Sequence, residues 1–370
     1  MAIQTTPSRV GQNQLAGDAD FLFLKVFSGE IITSFEEANI MMPLHRVRTI
    51  SSGKSAQFPV TGVASAQYHT PGESVLSTGA TTGYGSTTSA NSTASNVTVA
   101  YDGGASKYGT KFAHSERTIT IDDLLIASTF VADIDEMKNH YDVRSVYSRE
   151  IGRALAYTAD KNLIRTVIAG ARTVVDRFGT AAATSKQYLG EQIDLSDQAP
   201  TTATEELIAA IFTAAQKMDE KNVPSDGRYC VLTPANYYRL VNGDGAKIAV
   251  NKDWGGNGSF SKGQVVEIAG IRIFKSNHIP QVTETNVNNV HNASGVKNDV
   301  FYTNGIGYGG ADFSATQGII FQTEGVGTVK LMDLAVESDY IVERQGTLML
   351  AKYAMGHDVL RSECCFELVS

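Results

Sequence analysis

At 370 residues the chain can bury one large core or two to three smaller ones, and its 42% hydrophobic and 19% charged residues exclude a wholly disordered polypeptide. Acidic residues outnumber basic ones by 39 to 31, a formal charge of −8, which argues against tight DNA binding as the primary task because such a surface repels phosphates. Glycine is abundant at 34 residues and proline scarce at 8, a balance that favours turns, bulges and long loops over rigid linkers.

Residues 1–20 are small and polar and predict a mobile arm with no core of its own. Fully extended, ~20 residues reach roughly 65 Å, enough to cross onto a neighbouring molecule. The first 13 residues lack the apolar stretch of a cleavable signal, and no apolar run approaches the ~20 residues needed to cross a bilayer. A soluble, cytosolically made protein is expected. The apolar segment Phe21-Leu22-Phe23-Leu24-Lys25-Val26-Phe27 must bury somewhere. Residues 50–70 read as a strand that ends at Pro71-Gly72.

From Ser74 to Ser106 the composition turns to Ser, Thr, Gly, Ala and Asn, between Gln57-Phe58-Pro59-Val60 and the strand-like Arg117-Thr118-Ile119-Thr120-Ile121-Asp122. A long hairpin with an elaborated tip is the simplest reading. For residues 77–98 a disordered surface loop fits the composition equally well. Such a hairpin is marginal in water alone and needs another surface to lie on.

The strongest helix is predicted over 143–169, with Asp142 as N-cap and Gly170 as the stop. Its apolar face is Val143, Tyr147, Ile151, Ala154, Leu155, Leu163, Ile164, Val167 and Ile168. A second helix is predicted over 203–221, with Thr202 and Glu205 as a capping box and Leu207, Ile208, Ile211, Ala215 and Met218 facing the core. A turn at Pro224-Ser225-Asp226-Gly227, a strand over 228–232 and a short helix over 234–241 follow. Residues 251–264 form a glycine-rich loop with the single Trp254, 265–274 is strand-like around Gly270, and 281–298 is a loop. The last quarter holds alternating, strand-like segments. One long helix and no βαβ repeat make an α+β fold.

Candidate chemistry is sparse. Ser52-Gly53-Lys54-Ser55 matches the tail of a P-loop, but Arg48 stands where the first glycine belongs and Pro59 forbids the following helix. Gly305-Ile306-Gly307-Tyr308-Gly309-Gly310 has dinucleotide-loop spacing, yet Ala311 to Gly318 has no helical period to present an N-terminus to a pyrophosphate. His45, His69, His114, His140, His278, His291 and His357 share no metal-ligand spacing, and Asp122-Asp123 and Asp133-Asp135-Glu136 suit capping or arginine pairing. Cys230, Cys364 and Cys365 form an odd set without CxxC spacing, and the adjacent pair would alternate sides of a strand, so a reducing compartment is expected. No catalytic, cofactor-binding or metal site is expected.

Four segments in order resemble the major capsid proteins of short-tailed podoviruses of the autographivirus group. They are Phe23-Leu24-Lys25-Val26-Phe27-Ser28-Gly29-Glu30, Ile50-Ser51-Ser52-Gly53-Lys54-Ser55-Ala56-Gln57-Phe58-Pro59-Val60, Met137-Lys138-Asn139-His140-Tyr141-Asp142-Val143-Arg144-Ser145, and a C-terminal block. That block holds Gly325-Val326-Gly327-Thr328-Val329-Lys330-Leu331-Met332-Asp333 and Leu350-Ala351-Lys352-Tyr353-Ala354-Met355-Gly356-His357-Asp358.

The resemblance implies an HK97-type fold: N-arm 1–60, extended loop (E-loop) 61–118 with an insertion at about 77–111, and peripheral domain 119–179 with a spine helix at 143–169. It continues with an axial domain 180–325, returning peripheral strands 326–356 and a C-terminal segment 357–370. It also implies self-assembly into hexamers and pentamers of an icosahedral head enclosing double-stranded DNA without sequence-specific binding. A scaffolding protein and a portal would be the assembly partners, and the virion, made in the bacterial host cytoplasm, the location. Lys25, Glu30, Lys54, Arg144, Arg149, Glu150 and Arg153 are the candidate ion-pair contacts between subunits or within the peripheral domain. The competing readings are an encapsulin-type nanocompartment shell, a decoration or tail protein, and a soluble dinucleotide-binding enzyme.

Overall fold

The computed structural model describes residues 31, 33–35, 38–61, 68, 114–121, 124–132, 143–173, 188–196, 203–242, 258–259, 264–265, 267–281 and 312–370. The predicted arm at 1–20, the segment 21–30, the low-complexity stretch, the Thr202 cap, Trp254, the loop at 282–298, the glycine motif at 305–310 and the two acidic clusters lie outside the described residues. The chain divides into two compact units, one of them Gln57–Arg117 with Arg177–Gly179 and the other the remainder.

β2 (Ser55–Thr61) pairs with β3 (His114–Thr120) as a two-stranded ribbon, of which Gln57–Thr61 and His114–Arg117 belong to the smaller unit. Ala56, Phe58 and Val60 are buried while Ser55, Gln57 and Pro59 are exposed, the period-2 alternation of a strand with one wet face. Pro59 is tolerated because both strands of a ribbon are edges. Gln57 Nε2 donates to Glu116 Oε1 across the pair at 3.3 Å.

In the larger unit two sheets share one helix, α1 (Val143–Arg172), about 45 Å long. The first sheet has four strands in the order β1 (Arg46–Thr49), β12 (Val326–Ile341), β13 (Gly346–Val359) and β4 (Leu125–Ala132). In the last quarter, read from sequence as alternating strand-like segments, β12 and β13 pair as a long hairpin; a 3-10 turn at Val342–Arg344 joins them, with Gln345 at φ 49. β1, within the N-arm 1–60 that the resemblance implies, runs parallel to β12 and so builds residues 46–49 into the sheet. The second sheet has six strands in the order β5 (Glu191–Asp194), β14 (Cys365–Val369), β11 (Thr316–Gln322), β6 (Arg228–Leu232), β10 (Ile271–Lys275) and β9 (Glu267–Ile268), and β7 (Gly258–Ser259) pairs with β8 (Gln264–Val265) in a two-stranded sheet.

Packing explains the sharing. The first half of α1 sets Ile151, Leu155, Ala156 and Ala159 against Val131, Met349, Ala351, Tyr353 and Met355 of the four-stranded sheet. Its second half sets Leu163, Ile164, Val167 and Ile168 against Val231, Ile319, Phe321 and Cys365 of the six-stranded sheet. The other face of that sheet is covered by α2 (Ala203–Glu220) and α3 (Pro234–Asn242), whose Leu207, Ile211, Ala214, Met218 and Leu240 are buried with Cys230, Leu232, Ile320, Phe366 and Leu368. The predicted inward face of α2 (Leu207, Ile208, Ile211, Ala215 and Met218) is buried throughout.

Four expectations differ from the structure. Ala154 is exposed because the buried stripe of this half of the helix is narrow and runs through Ile151, Gly152, Leu155, Ala156 and Ala159, whereas every residue from Leu163 to Ala171 is buried. Gly170 does not stop α1: a Cβ there would lie 2.9 Å from Cys365 Sγ, so the glycine permits close approach of helix to strand and the helix runs on to Arg172. In place of the strand predicted over 265–274, residues 267–275 form a hairpin of β9 and β10 whose two turn residues, Ala269 at φ 53 and Gly270 at φ 74, have the left-handed conformations of a type I′ turn. Residues 365–369, read as part of a separate C-terminal segment, form a strand inside the six-stranded sheet, parallel to β5 and antiparallel to β11. That strand is buried on both faces and so carries no alternation to read.

Gly152 is the second contact glycine. Residues 31, 33–35 and 38 are helical, and a Cβ on Gly152 would lie 2.7 Å from the Ile31 carbonyl oxygen and 2.9 Å from Ser34 Cβ. Ser34 Oγ donates to the Arg149 carbonyl at 2.8 Å in the same crossing. Glycine in an open helix costs about 1 kcal/mol relative to alanine. Here Gly152→Ala is expected instead to lower the thermal unfolding midpoint of the subunit, through an overpacking cost of about 1–3 kcal/mol. A raised midpoint, read by calorimetry, would show that the crossing is loose.

Candidate functional site

Enzyme-like chemistry is not assembled in the described residues. Among them no group of three or more His, Cys, Asp and Glu side chains is placed to hold a metal ion. At Ser52-Gly53-Lys54-Ser55 the chain turns through Gly53 at φ +112 and enters β2, so a phosphate would meet a strand where a P-loop requires a helix N-terminus. Cys230, Cys364 and Cys365 are buried free thiols, and burial pushes the thiols of Cys230 and Cys365 above their ordinary range, away from the reactive thiolate.

The structure instead concentrates buried polar groups where elements distant in sequence meet. Asp160, fully buried at the middle of α1, is the first. Its Oδ2 accepts from the Ile40 amide at 2.9 Å and its Oδ1 from the Met41 amide at 3.1 Å. These amides open the 3-10 turn Met42–Leu44 that leads into β1. Asp160 Oδ2 also lies 2.9 Å from His278 Nδ1, just beyond β10. One carboxylate thus joins the helix, the segment before β1 and the chain leaving β10 of the six-stranded sheet. A buried carboxylate without such donors would be strongly unfavourable.

Glu367 of β14 is the second, with no exposed surface. Arg172, the last residue of α1, grips it with two parallel bonds, Nε to Oε2 at 2.7 Å and Nη2 to Oε1 at 2.6 Å. Thr316 Oγ1 donates to Oε1 at 2.6 Å and Gln192 Nε2 to Oε2 at 2.8 Å. Strands β5, β14 and β11 are therefore tied to the end of the helix through one acid. The bidentate form adds direction as well as energy.

The third is a chain of two imidazoles and a hydroxyl. His45 Nδ1 lies 2.8 Å from the Met41 carbonyl, His45 Nε2 contacts Thr328 Oγ1, and Thr328 Oγ1 lies 2.8 Å from His357 Nδ1. A carbonyl only accepts, so neutral His45 carries its proton on Nδ1. Nε2 then accepts from the threonine hydroxyl, whose oxygen accepts from His357. The chain fastens the segment before β1 to β12 and β13.

The seven sequence-derived contact candidates fall in several places. Lys25 and Glu30 lie outside the described residues. Lys54 is exposed in the β1–β2 turn, and its carbonyl accepts from the Ile121 amide at 2.9 Å. Arg144 is in the first turn of α1, and Arg149, Glu150 and Arg153 are exposed on the same helix. Only Glu150 and Arg153 are paired with each other among these in the described structure, at 2.9 Å and one helical turn apart. Such an exposed pair contributes about 0.3–0.5 kcal/mol to the subunit.

Sequence reading passed over Asp160, Glu367, Arg172, His45, His278 and His357 as organisers. Two had a signal: Asp160 breaks an apolar stripe running through Ala156, Leu163 and Ile164, and Glu367 is a lone acid in the run Cys365-Phe366-Glu367-Leu368-Val369. The partners of both are 51 or more residues away, so no local spacing could reveal the pairings.

Burial, opposed by the Met41 carbonyl and reinforced by the nearby Lys330 charge, lowers the pKa of His45 from 6.5 to about 4. Above pH 6.5 this histidine is neutral whether folded or unfolded and stability is insensitive to it. Between pH 6.5 and 4 the unfolded chain binds a proton that the folded chain refuses, so stability falls with acidification at about 1.4 kcal/mol per pH unit, roughly 3 kcal/mol in all. Denaturant unfolding of unassembled subunits at pH 7.5 and 4.5 is expected to show this loss reduced in His45→Gln by about 2–3 kcal/mol. An identical loss in both proteins would contradict the burial of a neutral imidazole.

Comparison with known proteins agrees with a structural role. The family model for the Gp10A-like major capsid proteins matches residues 94–369. The major capsid protein of Escherichia phage T7 is 31% identical over 381 aligned positions, which cover 100% of this chain and 99% of that protein. The major capsid protein of Enterobacteria phage T3 is 28% identical over 368 positions, covering 97% and 94%. The capsid structure of cyanophage P-SCSP1u matches with a TM-score of 0.66 and 35% identity over 99% of both chains. The buried clamps tie distant elements together, and by the family match and these full-length relatives the chain belongs to the Gp10A-like major capsid protein family, an HK97-type α+β structural protein of the phage head.

Proposed function

We propose that copies of this capsid protein associate through hexamers and pentamers into an icosahedral head. Assembly takes place in the bacterial host cytoplasm around a scaffolding protein, with a portal at one vertex. Double-stranded DNA is held inside without sequence-specific contacts, in keeping with the net charge of −8. The observation that carries this reading is the end-to-end likeness, 99% of both chains, to a cyanophage capsid structure. The separate unit at Gln57–Arg117 adds a physical reason, since a two-stranded ribbon is only marginally stable in water and gains from a second surface.

In this reading the six-stranded sheet with α2 and α3 is the axial domain, now including residues 365–369. The four-stranded sheet with α1 is the peripheral domain, and the ribbon is the base of the E-loop. Lys25, Glu30, Lys54, Arg144, Arg149, Glu150 and Arg153 remain the charged contacts proposed between subunits or within the peripheral domain. The full-length relatives at 28–35% identity are phage capsid proteins, which favours a DNA-filled head over a cargo compartment or a dinucleotide enzyme.

Co-expression with the cognate scaffolding protein, followed by negative-stain microscopy and native mass spectrometry, is expected to give closed particles of one size. Lys54→Glu in the same assay is expected to lower particle yield without altering the subunit. A compact, protease-resistant monomer as the sole product would overturn the proposal, and an unchanged yield for Lys54→Glu would remove that residue from the contacts.

A further inference from the structure

An open cavity of about 580 Å3 lies where α1, the segment before β1 and the end of β10 meet. Ala38, Ile40 and Pro234 give it apolar walls. Tyr157 of α1 and Tyr238 of α3 flank it at 42% and 51% exposure, large aromatic areas to leave wet. Arg153 and Lys275 supply two cations, and none of the described residues lining the cavity is acidic.

The walls are set in advance of any occupant. Lys275 Nζ donates to Tyr238 Oη at 2.9 Å and stands 4.9 Å from that ring's centroid. Tyr157 meets His278 edge-on at 5.0 Å, and His278 is held by the buried Asp160. Prearranged groups lose little conformational entropy on binding. Glu150 already neutralises part of Arg153, which makes Lys275 the stronger anchor.

A socket with aromatic flanks, an apolar floor and two cations fits a carboxylate next to an apolar side chain. A rigid duplex cannot enter a concavity of this size, and lone phosphates gain nothing from its apolar floor. Acidic residues outnumber basic ones on every copy, 39 to 31, so the complementary charge is present on the protein itself.

We propose that this cavity is a contact between copies: in the assembled head it receives an acidic, apolar-flanked segment of a second copy, the carboxylate pairing with Lys275 and Arg153 and the apolar group lying between Tyr157 and Tyr238. The proposal rests on the wall-building reading above and adds to it a site and a chemistry of contact.

Limited acetylation with acetic anhydride, read at Lys275 by peptide mass spectrometry, tests it in unassembled subunits, in filled heads and in heads emptied of scaffold and DNA. Modification is expected to slow at least tenfold in both kinds of head. Lys275→Glu is expected to cut head yield at least tenfold while Lys275→Arg assembles normally, with both unassembled variants unfolding at the wild-type temperature. Equal acetylation in heads and free subunits would overturn the proposal and leave the wall-building reading standing. Protection confined to particles that retain DNA or scaffold would assign the cavity to that occupant and overturn it as well. Wild-type protein that forms no heads would defeat the wall-building reading, and this contact with it.

Discussion

A buried negative charge in the middle of a long helix is the constraint on which the rest of the subunit depends. Asp160 has no exposed surface, and its two oxygens are met by the amides of Ile40 and Met41 and by His278. A carboxylate so placed is tolerable only while its donors are present, because losing them strands a desolvated acceptor. The helix, the segment entering β1 and the chain leaving β10 of the six-stranded sheet therefore hold their positions together or lose them together. Apolar packing along α1 supplies the bulk of the attraction. The carboxylate supplies the register, since sliding α1 by one turn would leave both amides and the acid unpaired.

The same logic repeats at the far end of the helix. Arg172 closes on Glu367 with bidentate geometry, and Thr316 and Gln192 complete the acid's partners from strands on either side. Two glycines, Gly152 and Gly170, allow backbone and side chains from other elements to come within van der Waals range of the helix where a methyl group would collide. The result is one unit in which two sheets share a single helix, and a second unit, Gln57–Arg117, with its own contacts.

Much of this architecture could be read from local pattern. The long helix, the second helix with its inward stripe, the strand at 228–232 and the paired strands of the last quarter each carry a period or a turn signal that matches the structure. The failures share a physical cause. β14 is buried on both faces and shows no alternation, Gly170 lies at a helix–strand contact and resembles a cap, and Ala154 falls on the helix surface because the apolar stripe narrows there. The polar junctions were illegible for a different reason. Asp160 with Ile40, Glu367 with Arg172 and His45 with Thr328 are separated by 120, 195 and 283 residues, and only the folded chain brings them together. The identification as a capsid protein came from motif resemblance, since composition and spacing could only argue against enzyme and nucleic-acid chemistry.

Amide hydrogen exchange at Ile40 and Met41, compared between wild-type subunits and Asp160→Asn, tests the central role of the buried carboxylate most directly. The substitution keeps the volume of the side chain but replaces one acceptor oxygen with a donor facing donors. Loss of protection at both amides, with amides of α1 away from residue 160 still protected, is the predicted result. Unchanged protection at Ile40 and Met41 would contradict the claim that this one charge fixes where the helix meets the rest of the subunit.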